Sequence, residues 1–302
     1  MNESIKQKLD TFLGVETELP KIIVIYGPTA CGKTALSLDV AKYLNTEIIS
    51  VDSRQIYRHM DIGTGKITRE EMQGIPHHML DVIDPTVKFS VVDFVNMGLP
   101  IVEKIQQQGK IPILCGGTGL YIDGILYEMA YPDTKPDWEY REKLEKIRLE
   151  EGNEVLWKML ESVDPEYAHE LEVNNFRYVM RGLEVWHATG KSKRESKDKK
   201  KARFAPLFLT PYTDDQRPIL YERINKRVEN MFTSGLIDEI KYIANTFGSD
   251  CLGLATIGYK EVVEYLHGEL SLEACIAEVQ QHNRNYAKRQ ITWNKKYDCF
   301  SF

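Results

Sequence analysis

The run KIIVIYGPTACGKT, Lys21 to Thr34, decides the fold. Its first six residues are apolar or aliphatic-stemmed and read as a short buried strand. Its last eight, Gly27 to Thr34, fit the pattern GxxxxGK[ST], and Leu36, Val40 and Leu44 then recur at helical spacing. A strand entering a glycine-rich loop that opens a helix is the context in which this pattern forms a phosphate-binding P-loop. Gly27 and Gly32 let backbone N–H groups converge on phosphate oxygens, and the helix N-terminus adds its positive dipole end. Thr29 lies within the loop, Lys33 would neutralise a diphosphate, and Thr34 would offer a hydroxyl to Mg²⁺.

Outward from this loop, short apolar runs alternate with helical patterns. Strand candidates are Glu47 to Val51, Met79 to Ile83 and Ile111 to Leu114, with helices over Thr34 to Leu44, Val91 to Gln108 and Leu120 to Glu128. Such alternation predicts an α/β fold whose mostly parallel sheet is covered on both faces. Two prolines punctuate Tyr131 to Pro136. From Trp138 to His187 the pattern is helical throughout, with Tyr140, Leu144 and Ile147 on one face and Val179, Leu183 and Trp186 on another. Pro206 to Thr210 reads as a strand rejoining the sheet, Gln216 to Trp293 is mostly helical, and Cys299 to Phe302 reads as a short edge strand. The expected organisation is a P-loop NTPase-like core of residues 1–130 and 204–302, interrupted by an all-helical insertion at 131–203.

Composition narrows the class. A chain of 302 residues with 42% apolar residues can bury a sizeable core. No apolar run approaches the roughly 20 residues that span a bilayer, and the charges of Met1 to Pro20 break up any signal-peptide core. A cytoplasmic protein with no membrane partner is expected. The five cysteines are widely spaced without a CxxC pair, which is neither a disulfide framework nor a zinc site. His77 and His78 have no partner at zinc-like spacing and read as lining a polar pocket. The net charge of −6 argues against a nonspecific nucleic-acid binder. Two basic stretches nevertheless stand out, Lys191 to Arg203 and His282 to Lys296, and local basic patches on an acidic chain suit a defined polyanion. Tyr286 to Trp293 mixes cations and aromatics, which fits either a face tracking a nucleic-acid backbone or a core contact by Ile291 and Trp293.

The carboxylates decide between hydrolysis and transfer. An NTPase usually closes a later strand with a metal-holding aspartate, but Ile111 to Leu114 runs instead into Cys115-Gly116-Gly117-Thr118-Gly119. The glycines allow close backbone approach to a ligand, and Thr118 offers a hydroxyl to an anion. The well-placed carboxylate is Asp52, at the end of the second strand, where ligands bind in parallel sheets. Beside phosphates it could hold Mg²⁺ or remove a proton from a nucleophile. Ser53, Arg54, Gln55, Tyr57, Arg58, Asp61, Thr64 and Lys66 continue as a polar run.

Taken together, these segments resemble the tRNA dimethylallyltransferase (isopentenyl transferase) family. The matching stretches are GPTACGKT (27–34), DSRQIYRHMDIGTGK (52–66), PHHMLD (76–81), ILCGGTGLYI (113–122), RGLEVWHATGK (181–191), ERINKRVENMF (222–232), TIGYKE (256–261) and AKRQITW (287–293). They follow the family's order over nearly the whole chain. The P-loop alone is generic, whereas the DSRQ-Y segment together with GGTGLY is specific.

The resemblance implies that dimethylallyl diphosphate binds on Gly27, Thr29, Gly32, Lys33 and Thr34. Mg²⁺ would be held by Thr34 and Asp52. It implies that Asp52 is the general base toward N6 of adenine, with Thr118 and Arg223 stabilising the departing diphosphate. It implies a tRNA anticodon stem-loop as partner, gripped by the insertion, with the adenosine 3′ of the anticodon as target. Ser53, Arg54, Gln55, Arg177, Arg181, Lys288 and Arg289 are the expected tRNA contacts, and the protein is expected to act as a monomer. Cys31 and Gly65 depart from the family pattern by small residues. Glu172 to Asn175 and Asn283 to Asn285 depart from it in segments expected to face tRNA. An adenylate isopentenyltransferase using free AMP or ATP shares the P-loop and Asp52, and the insertion with its basic tail favours tRNA. A small-molecule kinase or ATP-driven module is disfavoured by the missing carboxylate after Ile111 to Leu114.

Overall fold

The computed structural model describes residues 1–128, 137–195 and 201–297. The Tyr131 to Pro136 boundary, Lys197, Lys199 and Lys200 of the basic run, and the edge strand expected at Cys299 to Phe302 lie outside the described residues. The chain divides into two compact units, Met1–Tyr127 with Ala202–Phe302, and Glu128–Lys201.

The first unit is a five-stranded sheet of β1 (Lys21–Tyr26), β2 (Ile48–Ser50), β3 (His77–His78), β4 (Ile113–Gly116) and β7 (Ala205–Leu209), in the order β3-β2-β4-β1-β7. Every pair in it is parallel. A separate two-stranded ladder pairs β5 (Tyr127–Glu128) with β6 (Lys201–Ala202). β1 shows why its sequence is unbroken by polar residues. Ile22, Val24 and Tyr26 face one core, with Phe94, Tyr121 and Ile125 from α3 (Val91–Gln107) and α4 (Gly119–Leu126). Ile23 and Ile25 face the opposite core, with Leu9 and Phe12 of α1 (Glu3–Gly14) and Leu36 and Val40 of α2 (Lys33–Leu44). Alternate side chains point to opposite faces, so a strand covered on both sides must be apolar at every position.

Two elements differ from the sequence reading. The third strand is His77–His78 and not Met79 to Ile83, because Met79 (φ 61°) and Asp81 (φ 55°) are left-handed and cannot extend a strand. Ile83 makes only an isolated bridge to Tyr57. α1 lies in the charged N-terminal segment for which no element is expected. Its Asn2 N-cap accepts the Ile5 amide, and Leu9 and Phe12, three apart, bury one face.

Beyond β7 the unit is helical: α9 (Arg217–Thr233), α10 (Leu236–Phe247), α11 (Lys260–Leu266) and α12 (Leu272–Asn294). Val228, Leu236, Ile240, Tyr259 and Val279 form a core with Ile56 and Met60. That core supports the polar segment following Asp52 from behind.

The second unit contains α5 (Trp138–Glu151), α6 (Asn153–Val163), α7 (Pro165–Ala168) and α8 (Phe176–Thr189). Leu144, Leu156, Leu160, Tyr167, Val179 and Leu183 form its own core, with Tyr140 and Ile147 packed against it.

Candidate active site

The site lies at the carboxyl ends of β1, β2 and β4, where strand-to-helix loops come together. After β1 the chain turns through Gly27 and reaches Gly32 (φ 97°), the N-cap of α2. Gly32 has no side chain to cap the helix, so the first-turn N–H groups remain available to an anion. Lys33 folds back over the loop, its Nζ donating to the Gly27 carbonyl at 3.0 Å and the Pro28 carbonyl at 2.7 Å. Thr34 follows it in the first turn and is exposed.

Asp52 sits just past the end of β2. Its Oδ1 accepts the amides of Arg54 (2.8 Å) and Gln55 (3.4 Å), an Asx-type turn that fixes the carboxylate at the strand end. The backbone ties this turn to the loop after β4. The Val51 amide donates to Cys115 O, the Thr118 amide donates to Val51 O at 3.0 Å, and the Ser53 amide donates to Thr118 Oγ1 at 3.0 Å. Asp52 and Thr118 are therefore held as neighbours by main-chain bonds. Gln55 is used internally: its Nε2 donates to Thr64 O (3.5 Å) and Gly65 O (3.3 Å), and its Oε1 accepts from Ser50 Oγ. Arg54 is exposed.

The long helix α12 closes the site. Gln290, 5% exposed, joins the loops after β1 and β4, its Oε1 accepting the Thr29 amide at 2.8 Å and its Nε2 donating to Gly117 O at 3.1 Å. Gly117 is required for this approach, since a Cβ there would lie 2.0 Å from Gln290 Nε2. One turn earlier, Tyr286 is pushed up to about 12 by burial and then by the Asp52 charge, a hydrogen bond with Thr118 working the other way. Its phenol is therefore neutral across the physiological range. Lys288 and Arg289 are exposed on the same helix, and Arg289 lies over the Tyr286 ring at 5.6 Å. Ile291 is core, while Trp293 is 37% exposed.

On α9 the structure separates two arginines. Arg223 is exposed. Arg227, one turn further on, donates from Nη1 to Thr29 Oγ1 and from Nη2 to Thr64 O, each at 2.9 Å. Burial lowers the Arg227 guanidinium from its ordinary range and the Asp52 carboxylate opposes that shift, and an arginine so shifted stays cationic. Arg227, Gln290 and Tyr286 are the site residues that sequence reasoning passes over. For Arg227 the signal is a run of cations in Glu222 to Phe232, and for Tyr286 and Gln290 the cation-and-aromatic run of Tyr286 to Trp293; neither says which side chain reaches the loops.

His77 and His78 lie elsewhere. His78 Nε2 meets Glu47 Oε2 at 2.8 Å, and Glu47 precedes β2 whereas Asp52 follows it, so the pair belongs to the opposite end of the sheet. In the second unit Arg177 is exposed, and Arg181 and Arg141 both bind the buried carboxylate of Glu184. Of the unusual residues, Asn283 donates to Val279 O and Asn285 accepts from Gln281 within α12, while Asn174 accepts from Asn153.

Asp52, Thr118 and Arg227 are thus gathered around the glycine loop that Lys33 covers. The model of the IPP transferase family matches residues 55–297. A tRNA dimethylallyltransferase of Bacillus cytotoxicus is 46% identical over 279 residues, covering 92% of this chain and 88% of that protein. One from Caldanaerobacter subterraneus is 44% identical over 286 residues, with 92% and 90% covered. Among solved structures, the full-length tRNA isopentenylpyrophosphate transferase of Bacillus halodurans matches with TM-score 0.66 and 42% identity over 91% of this chain and 86% of that one. A eukaryotic dimethylallyltransferase acting on tRNA matches with TM-score 0.76 and 30% identity over 91% and 70%. The chain belongs to the IPP transferase family.

Proposed function

We propose that this enzyme transfers the dimethylallyl group of dimethylallyl diphosphate to N6 of the adenosine 3′ of the anticodon, position 37, in tRNA. The observation that carries this reading is the convergence of Asp52, Thr118 and Arg227 on the loop that Lys33 covers. One anion site, one base and one added cation match an alkyl transfer in which diphosphate is the leaving group. In this reading the first unit is a P-loop NTPase-like core that binds the diphosphate through Gly27, Thr29, Gly32, Lys33 and Thr34. The exocyclic nitrogen is a poor nucleophile, so placement and proton removal supply much of the rate. The N6 lone pair attacks the allylic carbon, the carbon–oxygen bond to diphosphate breaks, and the N6 proton passes to Asp52. Arg227 and Lys33 stabilise the charge that develops on diphosphate, as electrostatic catalysis requires.

The hydroxyl of Thr34 and the carboxylate of Asp52 are hard oxygen donors and, with diphosphate oxygens, suit Mg²⁺. Bound there, the ion would neutralise leaving-group charge. The target base must leave its stack, at a cost of a few kcal/mol. In this reading Ser53 and Arg54, with Lys288 and Arg289, receive it and its phosphates, which the exposure of Arg54, Lys288 and Arg289 supports. The second unit, with Arg177 exposed on α8, would grip the anticodon stem-loop, and the enzyme would act as a monomer. Among the described residues no helix is long and apolar enough to cross a membrane.

The test is transfer of labelled dimethylallyl from its diphosphate, with Mg²⁺, to unmodified tRNA and separately to AMP. Label on tRNA that disappears with Asp52→Ala supports the substrate and the base together. Label on AMP alone would assign the chain to adenylate modification, and label on neither would refute the transferase reading.

A further inference from the structure

Arg227 is held between two loops, the phosphate-binding segment and residues 61–66. The Arg227 guanidinium bonds Thr64 O on one side and Thr29 Oγ1 on the other, so the Thr64 carbonyl sets its aim. Gly65 leaves the room this needs, since a Cβ there would lie 1.8 Å from Arg227 Nη2. What holds Thr64 is Glu239, in the first turn of α10. Its Oε2 accepts the amides of Asp61 (2.9 Å) and Ile62 (2.7 Å), and its Oε1 accepts the amide of Gly63 (3.1 Å). Oε1 also accepts the hydroxyl of the fully buried Tyr259 at 2.6 Å. Three successive N–H groups gathered on one carboxylate are charge-assisted bonds, the strong kind, and they end one residue before Thr64. Lys66 fastens the other end of the loop, its Nζ reaching Asp61, Asp81 and the Tyr57 carbonyl.

We propose that Glu239 is a positioning residue for the transfer reaction: by holding the amides of residues 61–63 it fixes the Thr64 carbonyl, and through it aims Arg227 at the diphosphate. This rests on the reading of Arg227 as a diphosphate partner. The Glu239 carboxylate is taken up by the loop amides and Tyr259, so its effect on diphosphate passes through the Thr64 carbonyl to the arginine. A double-mutant cycle separates such coupling from a general loss of stability, because residues acting in series are not additive.

The experiment is calorimetric titration of the full chain with inorganic diphosphate in Mg²⁺, with KM for dimethylallyl diphosphate and kcat measured in parallel. Glu239→Gln keeps the shape but loses the charge, and should weaken diphosphate about tenfold and raise donor KM. In an Arg227→Ala background the same substitution should cause no further loss, and tRNA affinity should not change. Parental diphosphate affinity in Glu239→Gln, or a loss that adds in full to that of Arg227→Ala, overturns the proposal. Should Glu239→Gln fail to give a native circular dichroism spectrum, Tyr259→Phe removes one bond to the same carboxylate. It should weaken diphosphate about twofold to threefold, again only when Arg227 is present, and unchanged binding would overturn the proposal equally. Parental affinity in Arg227→Ala alone would refute the underlying reading of the arginine instead.

Discussion

Gln290→Leu removes a side chain that bridges the loops after β1 and β4. Leucine is nearly isosteric, so packing changes little while two hydrogen bonds are lost. The Thr29 amide loses its acceptor at 2.8 Å and the Gly117 carbonyl loses its donor at 3.1 Å. The position is only 5% exposed, so water cannot readily replace either partner. An unsatisfied buried group costs about 1–3 kcal/mol, which places the double loss at about 2–6 kcal/mol. For a unit of this size that corresponds to a fall in Tm of roughly 5–20 °C. Gln290→Glu retains an acceptor for Thr29 but cannot donate to Gly117, and should fall between the parent and Gln290→Leu. The assay is thermal denaturation followed by circular dichroism, with donor KM measured on the same samples. A Gln290→Leu variant that melts within about 1 °C of the parent, where a loss of several degrees is expected, would refute the bridging role.

Other expectations follow from the same geometry. Arg227→Ala should lower kcat/KM for transfer by roughly a hundredfold to a thousandfold, as loss of one charge-stabilising group does, while exposed Arg223→Ala should stay within about threefold; the reverse ranking would restore the role that the family resemblance implies for Arg223. tRNA affinity should fall roughly tenfold or more between about 50 and 200 mM salt, because released counterions drive phosphate contacts, and a flat salt profile by filter binding would contradict it. Glu47 is held below the ordinary carboxylate range first by its bond to His78 and then by Lys110, against a desolvation effect that raises it. A depressed folded pKa contributes stability that is full above the unfolded value and is lost as pH falls through the folded one. Glu47→Gln should therefore lower the neutral plateau of the Tm–pH curve toward its acid value and so flatten the acid limb; an unaltered plateau and acid limb would show that the pair carries no linkage.

The strand, loop and helix of Lys21 to Leu44 were legible in the linear chain because their determinants are local. Unbroken apolar residues mark a strand buried on both faces, and the glycine spacing with Lys33 marks the anion loop whatever surrounds it. Asp52 and Thr118 could be placed because residues at the ends of parallel strands share one edge of the sheet. Local reading failed where backbone conformation or helix rotation decided the outcome. Met79 and Asp81 carry ordinary strand-compatible sequence, yet left-handed backbone ends β3 before them. Arg223 and Arg227 stand one turn apart on the same face of α9 and are chemically identical, so only the level at which α9 passes the loops decides which arginine meets Thr29 and Thr64. Gln290 and Glu239 lie 261 and 178 residues from the amides of Thr29 and Asp61 that they bind. Periodicity says nothing about contacts at such separation. The sequence by itself determined the class of fold, the strand–glycine loop–helix unit and the placing of Asp52 at a strand end, since each depends on residues within one strand and its turn. Which arginine meets the loop, and which buried side chains hold the loops in register, only the tertiary structure decided, because those choices depend on where along its length one helix crosses elements distant in the chain.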